Sequence, residues 1–135
     1  MASPNVETFL AGMDAINRGD AEALIAVTDP EAVSEPLRMS VEGAYRGHEG
    51  ARRFLADNAE SFEDFRADYT ELRELDDDRV LATGTIHVRG RGSEIETDVP
   101  TAGIATFRKG RILHWKDYGD AERARQAAER ATAEG

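Results

Sequence analysis

The sequence predicts an α+β fold: a cone-shaped, curved antiparallel sheet packed on three helices from the N-terminal half, with a further helix at the C-terminal end. Three observations carry this prediction. Apolar residues recur at helical spacing through about Ser61, the pattern turns strand-like from about residue 65, and the later segments are joined by short turns rich in Asp and Gly. Helices first and a meander afterwards leave the helices to pack on one face of the sheet. The 135 residues read as a single domain, long enough to bury a core.

Each element has a local reason. Ser3-Pro4 supplies an N-cap and a proline at the first helical position, and Val6, Phe9, Leu10, Met13 and Ile16 continue one helical face to about Arg18. Gly19 stops this helix, and Asp20 caps a second, short one carrying Leu24, Ile25 and Val27. Asp29-Pro30 ends it, because the residue before proline avoids helical geometry. A short strand is expected over 32–39, then a looped segment through Gly43 and Gly47. A third helix follows from about His48 to Ser61, with Ala51, Phe54, Leu55 and Ala59 inward. Strands are expected at roughly 65–75, 79–90, 94–108 and 111–118, with Asp76-Asp77-Asp78, Gly90-Arg91-Gly92-Ser93 and Lys109-Gly110 as the turns. Asp120 then caps a terminal helix rich in Ala, Glu and Arg.

Composition removes several functional classes. There is no Cys, so disulfides and thiolate chemistry are excluded, and metal binding would fall to His and carboxylates. His48, His87 and His114 lack the i, i+2 or i, i+4 spacing of a metal set, so no metal is expected. No Ser sits in a Gly-x-Ser-x-Gly elbow, and Gly90-x-Gly92 lacks the third glycine of a dinucleotide fingerprint, so no nucleotide cofactor is expected either. A net charge of −10 argues against a nucleic-acid partner, and the arginines at 89–91 and 108–111 read as solvated turns. No apolar run reaches the length of a membrane span and no secretory signal is visible, so a cytoplasmic location without membrane partners is the expectation.

One stretch points to chemistry. In Ile112-Leu113-His114-Trp115-Lys116-Asp117-Tyr118-Gly119-Asp120, strand alternation puts Leu113, Trp115 and Asp117 on one face, so a carboxylate ends an apolar row. Burying an unpaired carboxylate is costly or forces its pKa upward, and a core that only had to fold would not place Asp there. Asp117 is therefore the leading candidate for a general acid or base. Trp115, the only tryptophan, shares its face and is a candidate ligand contact; Phe9, Met13 and Phe54 are candidates for cavity wall or core.

Four stretches occur in a telling order: Ala15-Ile16-Asn17-Arg18-Gly19-Asp20, Tyr45-Arg46-Gly47-His48-Glu49-Gly50, Thr106-Phe107-Arg108-Lys109-Gly110-Arg111-Ile112 and Trp115-Lys116-Asp117-Tyr118-Gly119-Asp120. With the order of elements, they resemble the nuclear transport factor 2-like superfamily, in particular its SnoaL-like polyketide cyclases, ketosteroid isomerases and limonene epoxide hydrolases. The resemblance covers nearly the whole chain and implies a fold, not an activity. The last Asp of the epoxide hydrolases falls on Asp117, but their Arg and other Asp fall on Gly84 and Ile86, which cannot polarise an epoxide or orient a water. The isomerases carry a base Asp before a Pro on the first strand, where Glu35-Pro36 stands; alternation with Val33 and Leu37 sets Glu35 toward the pocket, with Ser34 or Pro36 there instead if the register shifts by one. Their Tyr and protonated Asp fall on Gly12 and Ala105, so that oxyanion hole is missing. SnoaL-like cyclases need only an acid-base carboxylate in a hydrophobic cavity.

The resemblance thus implies a cofactor-free cyclase or isomerase for a hydrophobic, carbonyl-bearing small molecule, with Asp117 moving the proton, Glu35 assisting, and Trp115, Met13, Phe54 and Phe9 around the substrate. Because two known site designs are incomplete, the alternative is a non-catalytic ligand-binding or accessory protein. The superfamily commonly pairs through the outer sheet face, so a homodimer using Ile112, Tyr118 and Leu81 is expected.

Overall fold

The computed structural model describes residues 3–36 and 43–134. Its elements are α1 (Pro4–Arg18), α2 (Ala21–Ala26), β1 (Thr28–Glu35), β2 (Tyr45–Arg46), α3 (Gly47–Ser61), β3 (Phe62–Glu74), β4 (Arg79–Gly90), β5 (Glu96–Arg108), β6 (Arg111–Asp117) and α4 (Ala121–Glu134). The punctuation works as its chemistry dictates. The Ser3 side chain accepts from the Val6 N–H, Gly19 closes α1 in the left-handed region at φ 67°, and Asp20 accepts from the Ala23 N–H. Lys109 and Gly110 both take positive φ, at 52° and 77°, and so make the two-residue turn between β5 and β6. Asp120 accepts from the Arg123 N–H at the start of α4.

The six strands form one curved, open sheet in the order β2-β1-β6-β5-β4-β3. It is mixed rather than wholly antiparallel: β1 lies parallel to β6, and the other pairs are antiparallel. The first strand also begins earlier than alternation predicts, at Thr28 instead of residue 32, because exposed Pro30 and Glu31 interrupt its inward pattern. Residues 37–39 of the expected strand lie outside the described residues. Within the segment expected to be looped, Tyr45–Arg46 pairs with Ser34 and Val33 of β1.

Helices α1, α2 and α3 pack on the inner face. Phe9 meets Val80, Ala82, Ala105 and Phe107, while Ala15, Leu24 and Ala51 join the three helices to one another. Asn17 fastens α1 to β3 by donating to the Ala67 carbonyl at 2.9 Å and accepting from the Ala67 N–H at 2.7 Å. Helix α4 takes the opposite face, with Ala124 and Ala128 against Leu81, Ala102 and Ile104 and with Tyr118 beside them. The helices therefore do not all lie on one face. The surface expected for pairing is changed as well: Leu81 and Tyr118 are under α4, and Ile112 points inward toward Gly12. Two of the arginines expected in solvated turns are tied down, Arg108 by both oxygens of buried Asp29 at 2.8 and 3.0 Å, and Arg89 by Asp64 and Glu63. Among the described residues no helix is long and apolar enough to cross a membrane.

Asn17→Ala removes both clamps on Ala67 and is expected to cost about 1 kcal/mol. Urea denaturation should show the lower midpoint with an unchanged far-ultraviolet circular dichroism spectrum.

Candidate functional site

Between the helices and the inner face of the sheet lies a cavity of about 300 Å³. Met13 on α1, Phe54 on α3, Phe65 and Tyr69 on β3, Ile86 on β4, and Trp115 on β6 are among its walls. Strand register builds the polar end. Tyr69 pairs with Gly84 and Gly84 with Thr101, so these three positions form one row across β3, β4 and β5. Asp117 stands opposite Gly103, two residues along β5 from Thr101. Side chains are missing at 84 and 103 for a steric reason: a Cβ on Gly84 would lie 2.1 Å from the Asp68 carbonyl oxygen, and one on Gly103 would lie 2.6 Å from the Trp115 ring.

A β-bulge corrects the expected face of β6. Phe107 pairs with Ile112 and Thr106 with His114, so Leu113 is the extra residue. Ile112, not Leu113, therefore joins Trp115 and Asp117 on the cavity wall.

Asp117 is held from two sides. The Thr101 hydroxyl donates to its Oδ2 at 2.5 Å and the Gly119 N–H donates to its Oδ1 at 2.8 Å. Burial raises its pKa above the ordinary carboxylate value, and the donors from Thr101, Gly119 and Ala102 act in the opposite sense. Among the described residues it makes no ion pair, so it lacks the Arg partner of a purely structural carboxylate. Thr101 is itself only 2% exposed, which leaves its hydroxyl committed to partners inside the site. Tyr69 stands next to it, its ring edge-on to Phe9 at 5.2 Å and to Trp115 at 5.6 Å. Burial first, and then the Asp117 charge, push the Tyr69 phenol well above its usual pKa, with the Thr101 hydroxyl acting in the opposite sense.

Of the residues singled out from sequence, Asp117, Trp115, Met13 and Phe54 line the cavity together. Phe9 does not: it is fully buried behind the wall, in contact with Tyr69 and Trp115. Glu35 does not either. Register pairs Ser34 with Trp115 and Glu35 with Lys116, so Ser34 and Pro36 reach the cavity while Glu35 turns to the other face. There its Oε2 lies 2.6 Å from His114 Nε2, and this contact, ahead of the Lys116 charge, holds the Glu35 carboxyl below its ordinary pKa. An irregularity in the β1–β6 pairing between Thr28 and Val33 is what alternation within one strand cannot register.

Sequence reasoning missed Thr101 and Tyr69. The signal for Thr101 was a polar residue within the inward series Val99, Thr101, Gly103, Ala105. Spacing between histidines also missed a grouping on the far face, where His87 pairs with Asp98 across β4 and β5 and, with Glu96, brings three metal-capable atoms within 4.8 Å of one another.

A family model described as a SnoaL-like domain matches residues 6–115. No curated protein sequence matches the chain. Among solved structures, the chain is similar to TerC co-crystallised with polyporic acid, at 24% identity and a TM-score of 0.77, over 94% of this chain and 99% of that one. It is similar to a Mycobacterium tuberculosis protein in complex with estradiol-17beta-hemisuccinate, at 17% identity and 0.74, over 90% and 98%. An LEH-like epoxide hydrolase from the same organism aligns at 18% identity and 0.71, over 96% and 92%. These likenesses show the fold.

Two predictions follow from the carboxylates. Folded Asp117 keeps its proton to higher pH than the unfolded chain does, so wild-type stability falls as pH rises from the ordinary carboxylate range through the folded pKa. Asp117→Asn, which resembles the protonated side chain, should be more stable than wild type at neutral pH and lose that advantage in acid, read as urea midpoints across pH. Glu35 behaves oppositely, contributing above its unfolded pKa and losing that contribution as pH falls through its lower folded value. Because the pair with His114 is partly exposed, Glu35→Gln should cost only about 0.5 kcal/mol at neutral pH and leave ligand binding in the cavity unchanged by Trp115 fluorescence.

Proposed function

The chain belongs to the SnoaL-like domain family, and from that premise we propose that it binds a hydrophobic, carbonyl-bearing small molecule and that Asp117 moves a proton on the carbon beside the carbonyl. The observation that carries this reading is a desolvated carboxylate without an ion-pair partner among the described residues, on the wall of an otherwise apolar cavity. A carbonyl already acidifies its neighbouring C–H. Asp117 takes that proton, the bonding pair moves into the enolate, and return of the proton at another atom isomerises the molecule. Attack of the enolate carbon on a second carbonyl closes a ring instead. Neither route transfers electrons to or from the protein.

Trp115, Phe54 and Met13 supply apolar walls that exclude water and orient the ligand. Two proteins of similar fold were crystallised with small organic molecules, which supports a ligand of that class here. Glu35 has no part in the reaction, since it is engaged by His114 away from the cavity. The specific observation favouring a second reading, binding without chemistry, is the structural duty of Asp117: it accepts from Gly119 at the turn that leads into α4.

An enolisable probe tests both. With 2-tetralone in deuterated water, wild type is expected to accelerate exchange of the α-hydrogens, and Asp117→Asn to lower that rate by about a hundredfold or more while still binding the probe. Proton NMR follows the exchange and Trp115 fluorescence follows binding. Equal exchange rates in the two proteins sink the role of Asp117, and binding without any exchange favours the second reading.

A further inference from the structure

We propose that Asn58 is the second anchor of this cavity. Its amide donates to an oxygen at the far end of the ligand, so the ligand is an elongated molecule with an acceptor at each end. The inference rests on the reading of Asp117 as the group at the reacting carbonyl and adds what holds the opposite end.

Asn58 carries an unspent donor. It lines the cavity, and its amide nitrogen is buried with no hydrogen-bond partner among the described residues. A buried N–H left unpaired costs the protein the desolvation of that group, and folded proteins keep few of them. The backbone duty of Asn58 does not occupy its side chain: its carbonyl accepts from the Phe62 N–H where α3 gives way to β3. On this stretch of wall Phe54, Phe62, Phe65 and Val88 have no side-chain acceptor to offer. An amide turns readily about its Cβ–Cγ bond, so it meets an acceptor brought in through the cavity. The other polar side chains of the wall are spent or stand elsewhere. Tyr45 donates to Asp57, Thr28 donates to the Leu24 carbonyl and Thr101 donates to Asp117, while Ser34 pairs with Trp115 beside the reacting end.

Register and one further hydrogen bond fix how far Asn58 stands from Asp117. Phe62 pairs with Gly90 at the hairpin end of β4, and Arg91 Nε donates to the Ala59 carbonyl at 2.8 Å, which ties the end of α3 to that hairpin. Thr101, the partner of Asp117, pairs with Gly84. From Gly84 to Gly90 the strand rises about 20 Å. Side chains reaching in from both ends leave on the order of 10–15 Å between the two polar groups. Phe54, Phe65, Ile86 and Val88 line the space between them.

The ligand class follows: a ketone with its acidic C–H at Asp117, an apolar body, and a carbonyl, hydroxyl or ether oxygen at Asn58. A site built to hydrogen bond an oxygen discriminates against the analogue that lacks it, because the buried donor then stays unpaired. An amide kept for a ligand is also a burden without one. A leucine, similar in shape, removes the unpaired donor, so its effect on binding and its effect on stability run in opposite directions.

The test compares 2,11-dodecanedione with 2-dodecanone, which share a chain and differ in the second carbonyl, by Trp115 fluorescence on the whole protein. Wild type is expected to favour the dione, and Asn58→Leu to lower the dione-to-monoketone affinity ratio about fivefold, with Asn58→Ala doing the same. Without ligand, the urea midpoint of Asn58→Leu should be equal to or above that of wild type. An unchanged ratio in both variants overturns the anchor, and a lower midpoint beside it assigns the Asn58 side chain to structure. If wild type binds neither ketone, the proposed ligand class fails and the anchor with it. If both ketones bind and Asp117→Asn exchanges their α-hydrogens as fast as wild type, the proton-carrier reading fails while a lowered ratio still upholds the anchor, since the ratio is read from binding alone.

Discussion

The site depends on side chains that are missing from the inner face of the sheet. Gly84 and Gly103 stand where a single added carbon would collide with backbone or with the Trp115 ring. Their absence lets β3 press close to β4 and lets the indole lie flat across β5. Tyr69, Thr101, Trp115 and Asp117 then converge at one end of the cavity, although they come from three different strands. A glycine inside a strand ordinarily weakens it by giving up packing and increasing the entropy of the unfolded chain. Here that weakness is offset by the aromatic contacts among Phe9, Tyr69 and Trp115 that the open positions permit.

Two opposed effects set the character of Asp117. Three donors favour its charged form, and desolvation by the surrounding wall disfavours it; desolvation wins. The same residue thereby costs stability at neutral pH and gains proton affinity. Glu35 shows the contrast within one sheet. Facing outward and paired with His114, it has its charged form favoured and adds to the cohesion of β1 with β6. Two carboxylates a strand apart have opposite environments because they point to opposite faces.

What the sequence discloses follows the range of the forces involved. Ser3, Gly19, Asp20 and Lys109-Gly110 act within a few residues, and each does in the structure what its local chemistry implies. Asp117 was legible because a carboxylate ending an apolar row is conspicuous whatever its neighbours. The face of Glu35 was not, since it depends on pairing with a strand about eighty residues away and on an irregularity in that pairing. The bulge at Leu113 likewise exists only between strands, and reverses parity for Ile112. Thr101 and Tyr69 carry no signal of their own as a pair; only the row through Gly84 makes them neighbours. The second-sided position of α4 was equally hidden, because a helix rich in Ala can pack on either face and the choice lies with Leu81, Ala102 and Ile104.

This distribution of charge limits the chemistry the cavity can support. The Asp-Arg-Asp arrangement of the limonene epoxide hydrolases needs a cation and a second carboxylate beside Asp117; by the resemblance those positions fall on Gly84, which is sterically barred from carrying a side chain, and Ile86, which extends the apolar wall. Among the described residues Asp117 is the one carboxylate of the cavity wall, with the neutral hydroxyl of Thr101 beside it. In the proposed reaction such a carboxylate takes its proton from a substrate that is already acidic. On the proposed reading the substrate's own carbonyl groups supply the activation, and the tasks of the protein are to exclude water and to fix geometry.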